Sequence, residues 1–540
     1  MSEQPFREEQ DPREDHDGAE PQPAPFPPEL DPLDPHFGGE EELEDEDEAI
    51  ARELTEMERT GSSSPVPHGI GEDLEADLPH LAPDPREDAF SAESVAAELR
   101  GRAPETQMAP RLDAMRLAMD LLGDPAHAAP VIHLTGTNGK TTTSYFVEAI
   151  LAAHLGGCML AGTVELRVGE QHVESPRTTV EAPVLQRLMA LALEEGVPAA
   201  SLEASSQALD LHRMDGTVVE VAGFTNLQRD HLDYHETMER YLEAKAILFT
   251  PEHARRAVVC VDDEWGVRLA EKVASDAALP LDRVRAYPGE ADTDWYVTDA
   301  AVSMTDSATT FVLHGPEGEE IAASCPLPGL VNVQNAALAL VMTIRAGVPA
   351  ANAVEALSQA HNIPGRMQRI SQRDGERGLC IVDFAHTPDA MRLTLEAVRA
   401  ITPGRLIVVF SSDGDRDHGK RPMLGAVAAE LADVLVLTDE NPRSEDPQTI
   451  RDAILEGVRS VRPDLHDVEQ VTTWRGDAVK RGVELCGPED TVIVTGKGHE
   501  PFLEIGGEFI RYNDAPVMRE AVEAKWGPIA SDAAGKGSRA

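Results

Sequence analysis

The sequence predicts an α/β protein built on parallel sheets with helices on both faces. Short apolar runs of strand length alternate with segments of helical periodicity, which is the pattern of strands joined by helical crossovers. One strand-to-helix junction carries a glycine-rich loop with a lysine, over residues 136–142. No repeat of solenoid period is present, and no apolar run approaches the ~18 to 20 residues of a membrane span. These observations exclude an integral membrane protein with apolar spanning helices.

The first 90 residues differ in composition from the rest of the 540-residue chain. They hold 29 acidic and 5 basic side chains, within a chain whose net charge is −50. Such a segment buries too little apolar surface to offset its ordering entropy, so we expect a disordered acidic tail over 1–90. A solubilising role is the simpler interpretation, and a docking arm for a protein partner is the alternative. The charge also argues against nucleic-acid and anionic membrane partners.

The N-terminus and the cysteines indicate a cytoplasmic protein. The opening residues MSEQPFREEQ lack the basic and apolar regions of a signal peptide. The odd number of widely spaced cysteines fits neither a disulfide framework nor a paired-cysteine zinc site. We therefore expect reduced core residues at five positions: Cys158, Cys260, Cys325, Cys380 and Cys486.

Order is expected from about residue 91. Four apolar residues at helical spacing predict a helical lead-in over 91–127: Leu112, Met115, Met119 and Leu122. A strand at 131–134 then enters the glycine loop, and a helix follows it. Further strands are expected at the apolar runs 217–225, 256–261, 378–385, 405–411, 433–438 and 491–496. A helix is expected after Gly329, and Pro and Gly within 362–366 mark a boundary between two units.

The glycine loop has the chemistry of a phosphate site. At a strand-to-helix turn, backbone N–H groups and the helix N-terminus attract an anion, and a lysine reaches the outer phosphates. Threonine hydroxyls after the lysine can bind Mg²⁺. The loop consists of Gly136, Thr137, Asn138, Gly139, Lys140, Thr141 and Thr142. Its spacing is shorter than the general G-x-x-x-x-G-K-[ST] form. In that form the first glycine would fall at position 134, which is leucine here, and the first glycine of this loop is Gly136.

Lysine usage gives a second argument for functional positions. The chain has 8 lysines against 39 arginines. A compact phosphate contact or a reactive amine cannot be replaced by a guanidinium, so the few lysines that fall in motifs are candidates for function. Four of the eight do so: Lys140, Lys245, Lys420 and Lys497.

From Thr135 to about Asp514 the sequence resembles the Mur ligases, ATP-dependent amide-forming enzymes of peptidoglycan synthesis, and among them the MurE type. The resemblance depends on an ordered series of motifs rather than on the glycine loop alone. The matching segments are GTNGKTTT, RTTVEAP, LEASSQAL, FTNLQRDHLDYH, YLEAKAILF, LPGLVNVQNA, GRMQRI, DFAHTPDAM, DGDRDHGKRP, TDENPRSEDP and TGKGHE. The resemblance implies transfer of the ATP γ-phosphoryl group to a carboxylate, followed by attack of an amine on the acyl phosphate.

The resemblance also implies the role of individual residues. Lys140 would bind the ATP phosphates, Thr141 or Thr142 one Mg²⁺, and Glu203 with His231 a second metal region. Lys245 stands where the family carries a carbamylated lysine. The positions implied for the nucleotide are Asn332, Asn335, Arg366, Asp383 and His386. Those implied for the muramoyl peptide are Thr178, Thr179, Ser205 and Arg213, and those for the incoming diamino acid are Asn441, Arg443, Gly496 and Glu500.

General physical arguments support the implied roles of these residues to different degrees. Glu203 lies in an apolar run, where an uncompensated carboxylate is costly, so a ligand role is favoured. Lys245 lies on an amphipathic helix, where a surface lysine is the ordinary expectation. His386 can equally pack or cap, and the loop from Asp413 to Lys420 can equally be solvated.

The sequence departs from the MurE pattern at its N-terminus and in its pockets. The usual UDP-binding first domain is not visible, and the lead-in to the glycine loop resembles folylpolyglutamate synthases instead. Gln207 replaces a histidine, Phe384 a tyrosine and Gln368 a glutamate, and Glu440 begins ENPR where the diaminopimelate-adding enzymes carry DNPR. A folate-type or other Mur-like ligase acting on a substrate without UDP is therefore the first alternative, and a regulatory binding protein is the second.

We thus expect a parallel-sheet P-loop ATPase unit over 128–362, a smaller Rossmann-like α/β unit over 363–528 and a frayed end over 529–540. The predicted reaction joins a diamino acid to UDP-MurNAc-Ala-Glu, with ATP and Mg²⁺. Arg443 favours diaminopimelate because a guanidinium can pair with its distal carboxylate, and lysine or ornithine remain open. We expect a monomer whose partners are these small molecules.

Overall fold

A computed structural model describes residues 130–529, apart from 176, 277–278, 288–292, 304–307 and 361–362. The predicted acidic tail, the lead-in helix within 91–127 and residues 530–540 lie outside the described residues. Within the described part, no helix is long and apolar enough to cross a membrane. All five cysteines are buried free thiols, which confirms the prediction.

The first large sheet has eleven strands. In chain order they are β1 (Val131–Thr135), β2 (Met159–Ala161), β3 (Glu165–Val168), β4 (Gln171–Glu174), β5 (Ala200–Glu203), β6 (Val221–Phe224), β7 (Ala257–Cys260), β8 (Leu281–Arg285), β9 (Trp295–Val302), β10 (Thr309–His314) and β11 (Glu320–Cys325). Their spatial order is β11-β10-β9-β8-β7-β6-β1-β5-β2-β3-β4. From β2 to β9 all neighbours are parallel, as predicted.

Both edges of this sheet are antiparallel, which the sequence interpretation did not foresee. At one edge, only residues 169 and 170 connect β3 to β4. Such a connection is too short for a crossover and forces a hairpin. The β3–β4 hairpin extends the sheet beside the site described below.

Helices cover both faces of the sheet. They are α1 (Lys140–Leu155), α2 (Ala182–Glu194), α3 (Ser206–Asp210), α4 (Leu232–His235), α5 (Met238–Ala246), α6 (Glu264–Ser275), α7 (Leu330–Arg345) and α8 (Ala350–Ser358). Helix α1 lies between Gly139 and Gly156, both in the left-handed region that glycine tolerates best. Helix α7 begins directly after Gly329, as predicted. Alternating side chains of β1 pack into two different apolar cores, one on each face.

The second sheet has six strands. They are β12 (Gln368–Ser371), β13 (Leu379–Val382), β14 (Leu406–Phe410), β15 (Val434–Leu437), β16 (Val468–Gln470) and β17 (Thr491–Val494), followed by the separate hairpin β18 (Phe502–Ile505) and β19 (Glu508–Arg511). The order is β12-β13-β17-β14-β15-β16, and only the edge strand β12 is antiparallel. The packed helices are α9 (Pro388–Ala400), α10 (Lys420–Leu431), α11 (Pro447–Val461), α12 (Arg475–Leu485) and α13 (Asp514–Trp526). This arrangement confirms the smaller Rossmann-like fold.

The parallel pairing places the predicted functional segments at strand ends. In the first sheet, the glycine loop follows β1 and Glu203 ends its neighbour β5. In the second sheet, Asp383 follows β13, Asn441 lies shortly after β15, and Gly496 lies shortly after β17. Carboxyl ends of adjacent parallel strands meet at one edge, where α/β proteins bind ligands.

One buried histidine weakens the fold. His133 lies in the middle of β1 with 1% of its surface exposed, and neither ring nitrogen makes a hydrogen bond of ordinary geometry, although the Glu203 backbone is a polar neighbour. Burial lowers the pKa of His133 to about 3. A buried polar group without a partner costs about 1 to 3 kcal/mol. The neutral ring is therefore a local source of instability.

Replacing His133 with leucine is expected to raise the free energy of unfolding. In the unfolded chain the His133 ring binds a proton near pH 6.5, whereas in the folded protein it does so only near pH 3. The free energy of unfolding therefore decreases as the pH falls from 6.5 toward 3. At pH 5 this loss amounts to about 2 kcal/mol, and the leucine variant would escape it. Urea unfolding at pH 7.5 and pH 5 measures both effects. An equal pH dependence in the two proteins would contradict the assignment.

Candidate active site

The glycine loop is held by the segment that follows β6. The Thr137 amide donates to the Asn226 carbonyl at 2.8 Å, and the Asn138 amide donates to Asn226 Oδ1 at 3.0 Å. The Asn138 side chain donates to Gln228 Oε1 at 2.6 Å. Gly136 has φ +145°, and a Cβ there would lie 1.9 Å from Thr225 Oγ1. The loop thus has a fixed backbone that leaves no room for a side chain at its first glycine.

Two lysines converge on this loop. Lys140 Nζ donates to the carbonyls of Gly136 and Thr137 at 2.9 and 2.8 Å, and Lys245 Nζ donates to the same Gly136 carbonyl at 2.6 Å. Lys245 is only 1% exposed and lies 4.5 Å from the Tyr241 ring centroid, so it is not the surface lysine that its helix pattern suggested. Burial lowers the pKa of both lysines, and Lys140 lowers that of Lys245 further.

Glu203 is the acidic centre of the site. Its side chain is buried, and Oε2 accepts from Thr141 Oγ1 at 3.1 Å and from Thr163 Oγ1 at 2.9 Å. Its Oε1 accepts from the Thr163 amide at 3.0 Å. A Cβ at Gly162 would lie 2.2 Å from Oε1. The carboxylate and the Thr141 hydroxyl are neighbouring hard oxygen ligands beside the glycine loop, which is the donor set that Mg²⁺ prefers.

His231 has a different environment. Its side chain is 49% exposed, lies 3.4 Å from Asp230 and contacts the Tyr241 ring edge at a centroid distance of 6.1 Å. Among the described residues, no three His, Cys, Asp or Glu side chains form a group that could hold a metal ion. The second metal region implied for Glu203 and His231 therefore stays a prediction.

Arg366 connects the second unit to the glycine loop. Its guanidinium donates to Thr141 Oγ1 at 3.4 Å and stacks over the Phe384 ring at 4.1 Å. Burial lowers the pKa of Arg366, and Asp383 opposes that shift. Asp383 itself accepts from the Met367 amide at 2.7 Å and from the Ala385 amide at 2.9 Å. Asp383 thus holds the backbone at Met367, directly after Arg366, and at Ala385, directly after Phe384.

The remaining predicted nucleotide residues lie near this loop but bind other protein groups. Asn335 accepts from Thr143 Oγ1 at 3.3 Å and would clash with any Cβ at Gly139. Asn332 donates to the Pro328 carbonyl at 2.8 Å. His386 Nδ1 lies 3.0 Å from the Phe384 carbonyl. Thr142 is buried in the first turn of α1. The roles implied for these residues toward the nucleotide stay predictions.

The residues predicted for the muramoyl peptide gather next to Glu203. Thr179 Oγ1 donates to the Glu203 carbonyl at 2.8 Å and accepts from the Ser205 amide at 3.0 Å. Arg213 donates to the Thr179 carbonyl at 3.2 Å. Thr178 Oγ1 lies 3.1 Å from Thr163 Oγ1, within hydrogen-bond distance. Thr163, which the sequence interpretation did not select, therefore touches both Glu203 and Thr178.

The residues predicted for the diamino acid form one pocket at the end of the second sheet. The Asn441 amide nitrogen donates to Asp413 Oδ1 at 3.0 Å and to Glu500 Oε2 at 3.4 Å. Arg443, at φ +53°, pairs with Glu504 at 3.0 Å and lies 3.8 Å from Asp413. Asp413 is thus part of the pocket rather than only of a solvated loop.

Glu440 lies behind this pocket. It is 4% exposed, and a Cβ at Gly496 would lie 2.1 Å from its Oε2. Burial raises the pKa of Glu440, and Asp413 raises it further. Since Gly496 also has φ +109°, the glycine is required both by the backbone and by the acid. The long acid of the ENPR motif is therefore accommodated by the missing side chain at 496.

A cavity of about 920 Å³ lies between the two units. Thr163, Arg177 and Thr178 line it from the first unit, and His499 and Glu500 line it from the second. The Nε2 atom of His499 lies 3.2 Å from the Thr163 carbonyl oxygen. Burial, followed by the charge of Arg366, lowers the pKa of His499 to about 3, so the ring is neutral. The cavity is thus lined both by Thr163, which contacts Glu203, and by Glu500, one of the residues predicted for the diamino acid.

Two family models match the chain in the same order as the two units. The Mur ligase middle domain matches residues 134–343, and the Mur ligase glutamate ligase domain matches residues 365–498. A UDP-N-acetylmuramoyl-L-alanyl-D-glutamate--2,6-diaminopimelate ligase from Streptomyces coelicolor is 42% identical over 419 residues, covering 77% of this chain and 81% of the relative. The chain belongs to the Mur ligase family. The MurE type is the branch that its relatives indicate.

Further relatives agree. A UDP-N-acetylmuramyl-tripeptide synthetase from Leifsonia xyli is 44% identical and covers 74% of this chain and 77% of the relative. A solved diaminopimelate ligase of the same name as the Streptomyces protein is 33% identical, with a TM-score of 0.56, covering 76% of this chain and 81% of that one. Folylpolyglutamate synthase from Mycobacterium tuberculosis, complexed with ADP, is 20% identical with a TM-score of 0.57, covering 74% of this chain and 94% of that one. The last likeness concerns the fold alone.

Proposed function

We propose that this protein joins meso-diaminopimelate to the γ-carboxylate of UDP-MurNAc-Ala-Glu in peptidoglycan precursor synthesis, using ATP. The observation that supports the proposal most directly is the contact between the predicted sites of the two units. Arg366 and His499 of the second unit contact Thr141 and the Thr163 carbonyl of the first unit. Thr163, which contacts Glu203, and Glu500 of the predicted diamino acid pocket therefore line one cavity.

The first unit would activate the substrate carboxylate. The glycine loop and Lys140 bind the ATP phosphates, and Arg366 approaches the same place from the other unit. Thr141 and Glu203 would hold Mg²⁺, whose charge neutralises the phosphoryl oxygens. These cations stabilise the charge that develops as the γ-phosphoryl group moves to the carboxylate. The product of this step is an acyl phosphate and ADP.

We further propose that Lys245 carries a carbamate. Burial and the neighbouring Lys140 lower the pKa of Lys245 well below its usual value, which favours the neutral amine. A neutral amine attacks CO₂, a nitrogen–carbon bond forms, and one proton leaves to solvent. The resulting carbamate would supply a negative oxygen ligand that an unmodified lysine cannot.

The second unit would present the incoming amine. Arg443 is placed to bind the distal carboxylate of diaminopimelate. Glu500, which also pairs with Lys497, is placed to accept from the ammonium group beside that carboxylate. The amine at the other end attacks the acyl carbon, and phosphate leaves. Diaminopimelate is preferred over lysine or ornithine because only diaminopimelate brings a distal carboxylate that can join Glu504 at the Arg443 guanidinium.

The organisation of the whole chain also belongs to this proposal. We propose unit boundaries at 128–362 and 363–528, a cytoplasmic monomer and small-molecule substrates. The acidic tail over 1–90 is proposed as a solubilising segment, with a protein-docking role as the alternative.

Phosphate release together with product mass tests the function. Purified full-length protein with ATP, Mg²⁺ and UDP-MurNAc-Ala-Glu is expected to form product with diaminopimelate in preference to lysine or ornithine. The same reaction in CO₂-depleted buffer should slow and recover on adding bicarbonate if Lys245 is carbamylated. Absence of product with all three amines, while ATP still binds, would contradict the proposal. Product only with a folate and glutamate would favour the folate-type alternative.

A further inference from the structure

Lys497 is a buried lysine to which the proposed mechanism gives no role. It lies in the turn after β17 and is 0% exposed. Its Nζ donates to Glu500 Oε2 at 2.8 Å and to Asn441 Oδ1 at 3.0 Å. Both partners belong to the predicted diamino acid pocket. Burying a long cationic side chain costs free energy, and here the cost is offset by these two pocket residues.

The hydrogen bonds of Lys497 determine which way the Asn441 amide points. An ammonium group can only donate, so Asn441 Oδ1 must face it. The Glu504 backbone amide donates to the same oxygen at 3.1 Å. The Asn441 amide nitrogen is then directed toward Asp413 and Glu500. Without Lys497, one of the two donors that hold this orientation is lost.

Lys497 also sets the charge balance of the pocket. Four carboxylates lie on or behind it: Asp413, Glu440, Glu500 and Glu504. Arg443 pairs with Glu504, and Lys497 pairs with Glu500. Arg475 lies 4.0 Å from Glu440 but is committed to Asp514 at 2.8 Å. Removing the Lys497 charge would leave Glu500 without its ion pair and make the pocket more negative.

We propose that Lys497 is a positioning residue that sets the selectivity for the incoming amine. It favours a diamino acid whose distal end carries both an ammonium and a carboxylate over one whose distal end carries only an ammonium. With Lys497 in place, Glu500 is already neutralised, so an added positive group gains little unless a carboxylate accompanies it to Arg443. Diaminopimelate supplies both groups at its distal end, whereas lysine supplies only an ammonium. This inference rests on the proposed function and assigns the basis of its specificity.

The test compares kcat/KM for diaminopimelate and lysine in wild type and in Lys497→Met. The ratio is expected to fall on the order of 50-fold in the variant, because the interaction of one unit charge at short range is lost and the pocket becomes more attractive to a pure cation. If lysine yields no product, its inhibition constant against diaminopimelate replaces kcat/KM. KM for ATP should stay unchanged, since Lys497 does not touch the glycine loop.

Two further variants make the result unambiguous. Lys497→Gln also removes the charge but keeps a donor, so the ratio should shift in the same direction even if Lys497→Met does not fold. Lys525→Met is the matched control, because its ammonium donates only to backbone carbonyls at the end of α12, among them that of Val483 at 2.9 Å. An unchanged selectivity ratio in either folded neutral variant would overturn the inference. Wild type without activity toward any diamino acid would instead refute the proposed function.

Discussion

Replacing Lys140 with alanine is expected to lower kcat for ligation on the order of 10³-fold and to weaken ATP binding. Lys140 follows the glycine loop, and its ammonium lies at the loop carbonyls of Gly136 and Thr137. Phosphoryl transfer places negative charge on oxygens at this position, and a preorganised cation there stabilises the transition state more than the ground state. Phosphate release at saturating ATP and diaminopimelate measures the effect.

A surface lysine provides the matched control. Lys272 lies on α6 with an exposed side chain that pairs with Asp276 at 3.3 Å. Lys272→Ala should retain wild-type kcat, since an exposed pair of this kind contributes little to stability. The two variants should have similar melting temperatures. Near-normal turnover of Lys140→Ala would remove the phosphate-binding assignment of the loop.

The second large effect is expected for Glu203→Gln, which should lower kcat on the order of 10²-fold. The change replaces one carboxylate oxygen with an NH₂ group and removes the negative charge. A glutamine Nε2 facing Thr163 would oppose the donors that Glu203 now accepts. The Mg²⁺ concentration needed for half-maximal rate should rise, because the charged ligand is lost.

Glu220→Gln is the control for this change. Glu220 lies on the surface and pairs loosely with Arg255 at 3.7 Å. Its substitution should alter neither kcat nor the Mg²⁺ dependence. If Glu203→Gln kept the wild-type Mg²⁺ dependence, the proposed metal ligand would be wrong even if kcat fell.

Local pattern predicted the elements that carry the site. The apolar runs at 256–261, 378–385 and 491–496 contain β7, β13 and β17. Burial of Glu203 also followed from its apolar neighbours. These predictions succeeded because strand periodicity and turn glycines are properties of short segments.

Other features required the folded chain. The pattern around Lys245 was compatible with a surface helix, yet its Nζ lies 2.6 Å from the Gly136 carbonyl of the glycine loop. Thr163 carries no motif, and only the sheet order places it against Glu203. The antiparallel edges of the first sheet were likewise not predicted, because none of the predicted apolar runs covers β3, β4, β9, β10 or β11.

The sequence by itself determined the family and the fold class, and it predicted the phosphate loop and the diamino acid pocket, since each motif behind these predictions is a short stretch of the chain. Only the tertiary structure decided that Arg366 reaches Thr141, that His499 reaches Thr163, and that Lys497 is buried between Asn441 and Glu500. The first two contacts join residues 225 and 336 positions apart. Contacts at such separations depend on how the carboxyl ends of the two sheets face each other. A local sequence pattern does not predict that arrangement.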